Sequence, residues 1–335
     1  MDTLLASSGY ARLRASFMSV PPINSARRAA FRFNQAAIFL NTQSGRRGSQ
    51  KLLPLFDQAF RSRRITPEVF ETSSAHDLQS QVNGAMNEGT RLLFAIGGDG
   101  TLQGLVNAAF GFDVVFGVIP AGGGNDFAKA LGLPRDPLGA LAAALAGEPR
   151  SVDLARVRTA DGQERLYLGG GGIGLDAESA KYASTRYRNW PGRTRYIASA
   201  LRAFLTHRAN RVRVTFDNNQ ESSWRNSILA CVLNTPSFGA GIELAPSARI
   251  DDGLLDFAFL EELRFGQILR ILPRLAIRGT LDLPQLRTMQ IQKVRLETEA
   301  RAFFQGDGEI LGPTPVEIEV VPNAVQFLAP KCASN

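Results

Sequence analysis

The chain holds only two histidines, His76 and His207, and two cysteines, Cys231 and Cys332. A histidine triad, a histidine metal cage, a disulfide framework or a cysteine zinc site therefore has almost nothing to build with. Cys231 lies in the apolar run Ser227–Leu233, where it reads as core rather than as a reactive thiol. No uninterrupted apolar stretch approaches the roughly 18 residues of a membrane-spanning helix. A permanent membrane anchor is not expected. Acids are missing from Ser179 to Phe216, which carries Lys181, Arg186, Arg188, Arg193, Arg195, Arg202, Arg208, Arg211 and Arg213 and much of the net charge of +7. Such a block favours a polyanionic partner: an anionic membrane surface, a nucleotide or a nucleic acid. A solvated basic face that keeps the protein soluble is the other reading of the same residues. Chemistry must then fall to carboxylates, amides, Lys/Arg or a bound metal.

At 335 residues with 44% hydrophobic content, the chain is long enough for two domains, each with its own core. Residues 1–33 hold five arginines and one acid. That composition resembles an organelle transit peptide, and an extension without a fold or a true start at Met18 accounts for it equally well.

From Gln35 the pattern alternates. Ala36–Leu40, Glu68–Glu71, Arg91–Ile96 and Val114–Ile119 read as strands. Ser49–Phe60, Ala75–Asn87, Thr101–Phe110 and Asn125–Ala130 read as helices between them. Asp136-Pro137 is a good N-cap and first-turn pair for the Ala/Leu helix that stops near Gly147. This rhythm predicts an α/β domain over residues 34–150, with a doubly wound parallel sheet. Ligands in such sheets bind outside the carboxyl ends of the strands. Three loops fall at that edge: Asn41–Gly48, Gly97–Thr101 and Pro120–Asp126.

The middle loop, Gly97-Gly98-Asp99-Gly100-Thr101, follows the apolar strand Arg91–Ile96 and opens a helix. Glycines let a ligand approach the backbone, and the free amides of a helix start attract phosphate. A carboxylate inside an anion cradle is costly unless a metal or a donor balances it. The loop therefore points to a nucleotide phosphate with a divalent cation.

After Ser151 the texture changes to short strand-like runs: Val152–Arg158, Arg165–Leu168, Arg211–Phe216, Ser227–Leu233, Leu255–Leu260, Met289–Leu296 and Val316–Val321. Two amphipathic helices, Arg195–His207 and Leu263–Arg278, interrupt them. Residues 151–322 thus read as a mostly antiparallel β domain. Gly169–Gly174 satisfies G-x-G-x-x-G, but the following segment lacks the carboxylate a dinucleotide ribose would need. Close backbone packing is the better reading of those glycines. Asp251-Asp252-Gly253, with Asp256 nearby, suits a hard cation or a plain hairpin turn equally. Phe303–Glu309 places Asp307 and Glu309 on another Gly-rich turn: a plain hairpin turn is the better local reading, and a carboxylate there would suit a general base toward a hydroxyl if it faced the nucleotide site.

Taken together these segments resemble the soluble lipid-kinase family of bacterial diacylglycerol kinases and their sphingosine- and ceramide-kinase relatives. The resemblance runs in order from Asn41 to about Val321. It covers Asn41–Gly45, Thr72 with Asp77, Gly97–Thr101, Pro120–Asp126, Val152-Asp153, Gly174–Ala177, Asn234 to Pro246, Asp252–Leu255 and Asp307–Glu309.

It implies a phosphofructokinase- or NAD-kinase-like nucleotide domain and a β-sandwich lipid domain, with the active site between them. The chain end, residues 323–330, is expected to return to the first domain. By the same resemblance Gly97, Gly98, Asp99, Gly100, Thr101 and Gln103 would hold the phosphates of ATP. Asn41, Ser44, Gly45, Thr72, Gly123, Asn125 and Asp126 would complete the nucleotide site. Asp252, with the carbonyls of Arg249 and Leu254, would match a structural Mg²⁺ site. Glu309 would accept the hydroxyl proton, with Asp307 and Asp99 beside the Mg-ATP.

Three departures stand out: Thr42 where the family usually has Pro, Gly104 where it has Glu, and Gly123 where it has Thr. A hydroxyl lost from the nucleotide site weakens binding by on the order of 1 kcal/mol. The expected activity is transfer of the γ-phosphoryl group of ATP to a lipid hydroxyl. The expected setting is a cytoplasmic protein peripherally attached to an anionic membrane surface, with no nucleic-acid partner. A soluble-metabolite kinase of the NAD-kinase type and a non-catalytic nucleotide- or lipid-sensing protein are the alternatives.

Overall fold

Four strands run parallel, three of them apolar and the edge strand β2 more polar: β1 (Gln35–Asn41), β2 (Thr66–Thr72), β3 (Leu92–Gly97) and β4 (Val115–Pro120). In the computed structural model, described residues are 33–41, 48–187, 190, 194, 198, 199, 202, 203, 209–217, 224–239, 241–263, 267 and 283–331. The expected leader, Ser44 and Gly45, and most of the helices expected at Arg195–His207 and Leu263–Arg278 lie outside them. β3 and β4 are buried along their whole length, as strands covered on both faces must be, and their sequences are almost wholly apolar.

The helices of this unit are α1 (Gly48–Lys51), α2 (Leu53–Ser62), α3 (Ala75–Asn87), α4 (Asp99–Ala109), α5 (Asp126–Ala130) and α6 (Pro137–Ala146). Side chains cap the starts of α3 and α6. The Ser74 hydroxyl accepts the Asp77 N–H at 3.1 Å, and the Asp136 carboxylate accepts the Gly139 N–H at 2.6 Å. α4 begins at Asp99, two residues before the expected Thr101, because Gly98 already serves as its N-cap.

The second unit contains β5 (Glu148–Arg158), β6 (Glu164–Tyr167), β7 (Gly170–Gly174), α7 (Leu175–Ser184), β8 (Asn210–Phe216) and β9 (Arg225–Leu233). It continues with β10 (Ser237–Phe238), β11 (Ile242–Glu243), β12 (Leu255–Glu261), β13 (Leu286–Ile291), β14 (Lys293–Thr298), β15 (Phe303–Gly306), β16 (Glu309–Pro313) and β17 (Val316–Ala329). Its two layers enclose a core in which Val157, Val214, Val294 and Ile318 meet Ile173, Val232, Phe257 and Phe304. Cys231 is fully buried against Leu244, Ala245 and Ala258 on the outer side of β9. The single run expected at Met289–Leu296 is two strands. The Asp217 carboxylate takes the N–H groups of Gln292 and Lys293 at 3.0 and 2.9 Å, and the ladder breaks there.

Two long strands bind the units together. The first part of β17 pairs with β14 and β5, and its end pairs in parallel with β4, Gln326 opposite Val115. Phe327 is fully buried in the α/β core between Phe116 and Phe127. β5 runs antiparallel beside β17 through both units, so the composition change near residue 150 falls inside a strand. Among the described residues fifteen strands form one continuous sheet.

Candidate active site

The carboxyl ends of the parallel strands supply the first wall. Asn41 and Thr72 are register partners at the ends of β1 and β2, and Gly97 and Pro120 are partners at the ends of β3 and β4. Gly97 and Gly98 lead into α4. A Cβ on Gly97 would lie 2.5 Å from the Thr101 Oγ1, and one on Gly122 would lie 2.5 Å from the Gly98 Cα. The two glycine loops therefore pack backbone to backbone, which larger residues would prevent.

Asp99 closes this wall from within. Its carboxylate accepts the Asp126 and Phe127 N–H groups, each at 3.2 Å, and so ties the start of α4 to the start of α5. Burial, then the nearby Asp126 carboxylate, push its pKa up to about 6. Asn125 adopts the left-handed conformation with φ 58°, and its side chain exchanges two 3.1 Å hydrogen bonds with the Gly122 backbone. Gln103 faces inward: it is buried, and its amide donates to the Leu166 carbonyl at 3.2 Å. Asn107 meets the same residue, donating to its carbonyl at 2.8 Å and accepting its N–H at 3.0 Å. Thr72 is buried, with its hydroxyl 3.4 Å from the Leu40 carbonyl.

The second wall is the β15–β16 hairpin. Its two-residue turn is Asp307-Gly308, both with positive φ (50° and 89°), as a tight hairpin of the primed type requires. Asp307 points back under the turn and accepts three backbone N–H groups, from Leu168 at 2.7 Å, Gly169 at 2.9 Å and Gly170 at 3.2 Å. Burial outweighs these bonds, and with the Asp99 charge it raises the Asp307 pKa to about 7. Glu309 is exposed at the first position of β16. A Cβ on Gly100 would lie 3.2 Å from its Oε1 and 3.6 Å from the Asp307 carbonyl. The glycine loop and the two distant acids thus form one site.

Several partners were not legible in the sequence. The Ser237 hydroxyl donates to Asp126 at 2.8 Å, from β10 across to the first unit. Asn234 is fully buried, and its amide donates to the carbonyls of Asp153 and Leu168, both at 2.9 Å. The glycine run packs closely by its backbone, as its sequence suggested: Gly170 abuts Phe238 and Leu233, and Gly171 abuts Phe304, with no room for a Cβ.

The acidic turn lies apart from this cluster. Asp251 pairs with Arg150 at 2.7 Å, and Arg249 stands 3.6 Å from the same carboxylate. Asp252 is exposed, with Oδ1 on the Leu254 N–H at 3.1 Å and Oδ2 near Gln290 at 3.4 Å. Burial, then Asp252, raise Asp256 to about 6. Asp153 joins this turn to the hinge of β17, accepting the N–H groups of Gly253 and Asn323 at 2.7 Å each.

Among the described residues no group of three or more His, Cys, Asp or Glu side chains is arranged to hold a metal by itself. Asp99 and Asp307 spend hydrogen-bonding capacity on backbone amides, which leaves a cation to draw its other ligands from phosphate and water. Mg²⁺ is commonly held in that way, by one or two carboxylates plus substrate phosphates. The donor set fits it.

Two family models match the chain, the diacylglycerol kinase catalytic domain over residues 35–157 and the YegS C-terminal NAD kinase beta sandwich-like domain over residues 171–329. A diacylglycerol kinase of Mycobacterium tuberculosis is 31% identical over 259 residues, covering 77% of this chain and 82% of its own. The chain belongs to the diacylglycerol kinase family. Members of this family are phosphotransferases acting on an alcohol group. A diacylglycerol kinase of Bacillus subtilis is 27% identical, over 89% of this chain and 97% of its own. The fold is that of a diacylglycerol kinase crystal structure from Bacillus anthracis str. Sterne, with a TM-score of 0.65 and 19% identity over 90% of this chain and 98% of that one. No described helix is long and apolar enough to cross a membrane.

Proposed function

We propose that this kinase transfers the γ-phosphoryl group of ATP to the hydroxyl of a membrane lipid, diacylglycerol or a related alcohol, in the cleft between the two units. The observation that carries this reading is the meeting of Gly100 with Glu309 and Asp307, which brings two acidic residues against the glycine-rich turn. Phosphoryl transfer needs positioning and charge neutralisation more than covalent chemistry. The amides of Gly97–Thr101, with Asn41, Thr72 and Gly123 at the same edge, bind the phosphates and the nucleoside. Asp99 and Asp307 would help hold Mg²⁺, which would supply neutralisation of the phosphate charge. Glu309 accepts the proton of the attacking hydroxyl. Asp252 with the carbonyls of Arg249 and Leu254 would hold a second, structural cation.

The lipid must be reached at a bilayer, and the basic segment after Ser179 suits a cytoplasmic protein that docks on anionic headgroups. Residues 34–150 with 323–330 form the nucleotide unit and 151–322 the lipid unit. The test is radiolabelled ATP with vesicles of total membrane lipid. A phosphorylated lipid product, lost in Glu309→Gln, is expected. No lipid product, or full turnover in Glu309→Gln, overturns the reading.

A further inference from the structure

The two buried acids of the site stand on different units. Asp99 opens α4 in the first, and Asp307 turns the β15–β16 hairpin of the second. The Asp99 charge acts on Asp307 directly, so like charges repel and their spacing has to be set by bonds from elsewhere.

A run of hydrogen bonds closes behind them. Asp99 accepts the Asp126 N–H at 3.2 Å, and the Asp126 carboxylate accepts the Ser237 hydroxyl at 2.8 Å, which carries the run from α5 to β10. The Ser237 carbonyl accepts the Thr235 hydroxyl at 2.9 Å. The Thr235 N–H donates to the Gly169 carbonyl at 3.1 Å, and the Gly169 N–H donates to Asp307 at 2.9 Å. The Thr235 hydroxyl also lies 3.1 Å from the Gly169 carbonyl, but its single proton serves one acceptor at a time and the amide already serves that one.

Ser237 and Thr235 are both buried, so no bulk water replaces a partner that either hydroxyl loses. Burial alone would be served as well by alanine and valine there. Among the described residues β10 and β11 pair only with each other, outside the fifteen-stranded sheet. Their placement therefore depends on what they touch: Phe238 abuts the Gly170 backbone, and Ser237 reaches α5. Lys129 of α5 also meets Glu243 of β11 at 3.5 Å, but both side chains are exposed and such a pair contributes little. The buried Ser237 bond is the stronger of these two links to α5.

We propose that Ser237 and Thr235 are positioning residues for phosphoryl transfer: together they bridge the two units behind the site and set the spacing between Asp99 and Asp307. The kinetic arm of the test rests on the lipid-kinase reading, and the exchange arm does not.

Hydrogen exchange on the full chain, without ATP or lipid, reads the bridge itself. In Ser237→Ala the amides that Asp99 accepts, of Asp126 and Phe127, and those that Asp307 accepts, of Leu168, Gly169 and Gly170, are expected to exchange about tenfold faster together. Acceleration on one wall only, or on neither, overturns the proposal. In vesicle assays kcat is expected to fall about tenfold, while calorimetric ATP affinity, set by the first wall, stays at wild type. Thr235→Val is expected to do the same, and the double variant no more than either single one, because both cut one bridge. Thr235→Ser keeps the hydroxyl and is expected to follow wild type. Each variant is first shown to unfold cooperatively. An unchanged kcat, ATP affinity lost in step with kcat, additive losses in the double variant, or a Thr235→Ser as impaired as Thr235→Val overturns the proposal. A wild-type chain that phosphorylates no lipid defeats the lipid-kinase reading alone, and the exchange measurement still decides the bridge.

Discussion

Gly100 and Glu309 lie more than two hundred residues apart in sequence and meet so closely that a Cβ on the glycine would stand 3.2 Å from the glutamate Oε1. That contact joins the glycine loop to the proposed base. Glu309→Gln keeps the shape and removes the proton acceptor, so kcat is expected to fall about 10²-fold or more, the usual contribution of a general base. Gly100→Val crowds the same carboxylate without removing it. Its kcat is expected to fall while its thermal unfolding stays close to wild type. Steady-state kinetics on lipid vesicles with a melting curve for each variant check both outcomes.

The Asn234 amide is the link between the hinge strand and the carboxylate turn. It donates to Asp153 and Leu168, and the N–H of that same Leu168 donates to Asp307. Asn234→Ala leaves two carbonyls without their donor, and each unsatisfied buried group costs about 1–3 kcal/mol. The expected result is a lower unfolding midpoint in urea together with reduced kcat. Loss of neither would show that Leu168 is held by other contacts.

Much of this was written in local patterns, because apolar runs ending in glycine announce parallel strands and their ligand edge. What escaped depends on contacts made across the chain. β7 contains four glycines in five residues, a composition that disfavours a strand, and it forms where neighbours leave no room for side chains. β17 reads as broken at Pro322-Asn323-Ala324. It continues because Asn323 adopts φ 49° and its N–H is captured by Asp153, from 170 residues away. The Asp307-Gly308 turn was legible as a hairpin. Its carboxylate partners, the amides after β6, were not.

Asp307 and Asp99 carry carboxyls raised to about 7 and about 6, against about 3.9 for an unfolded aspartate. Between those values the folded protein holds more protons than the unfolded chain, so its stability falls as pH rises. The metal-free protein is expected to lose thermal stability from about pH 4 to 7 on this account. Asp307→Asn cannot titrate, and its unfolding midpoint is expected to fall less steeply over the same interval. Differential scanning fluorimetry in chelator-treated buffers reads both slopes. Parallel curves would exclude Asp307 as a source of the dependence.

Phe327 makes the chain end part of the first core, fully buried between Phe116 and Phe127. Phe327→Ala is expected to cost about 3–5 kcal/mol, the range for a buried phenylalanine. A fragment ending at residue 150 lacks the strand beside β4 and exposes its edge. It is expected to aggregate, whereas the fragment supplied with residues 323–330 in trans regains protection. Urea titration of the full-length variant and light scattering of the fragments check these outcomes.

Gly123 stands where the lipid-kinase motif has a nucleotide-contacting threonine. Its backbone does not have the positive φ that would reserve the position for glycine, so the backbone conformation does not bar a threonine there. A restored hydroxyl hydrogen bond contributes about 1 kcal/mol, or roughly a fivefold change in affinity. Gly123→Thr is therefore expected to lower the KM for ATP by about that factor with kcat little changed, since the hydroxyl binds ground and transition states alike. Initial rates at varied ATP and saturating lipid distinguish the cases. A raised KM would mean that the loop closes more tightly on the nucleotide here than the motif requires, with the glycine chosen to make room.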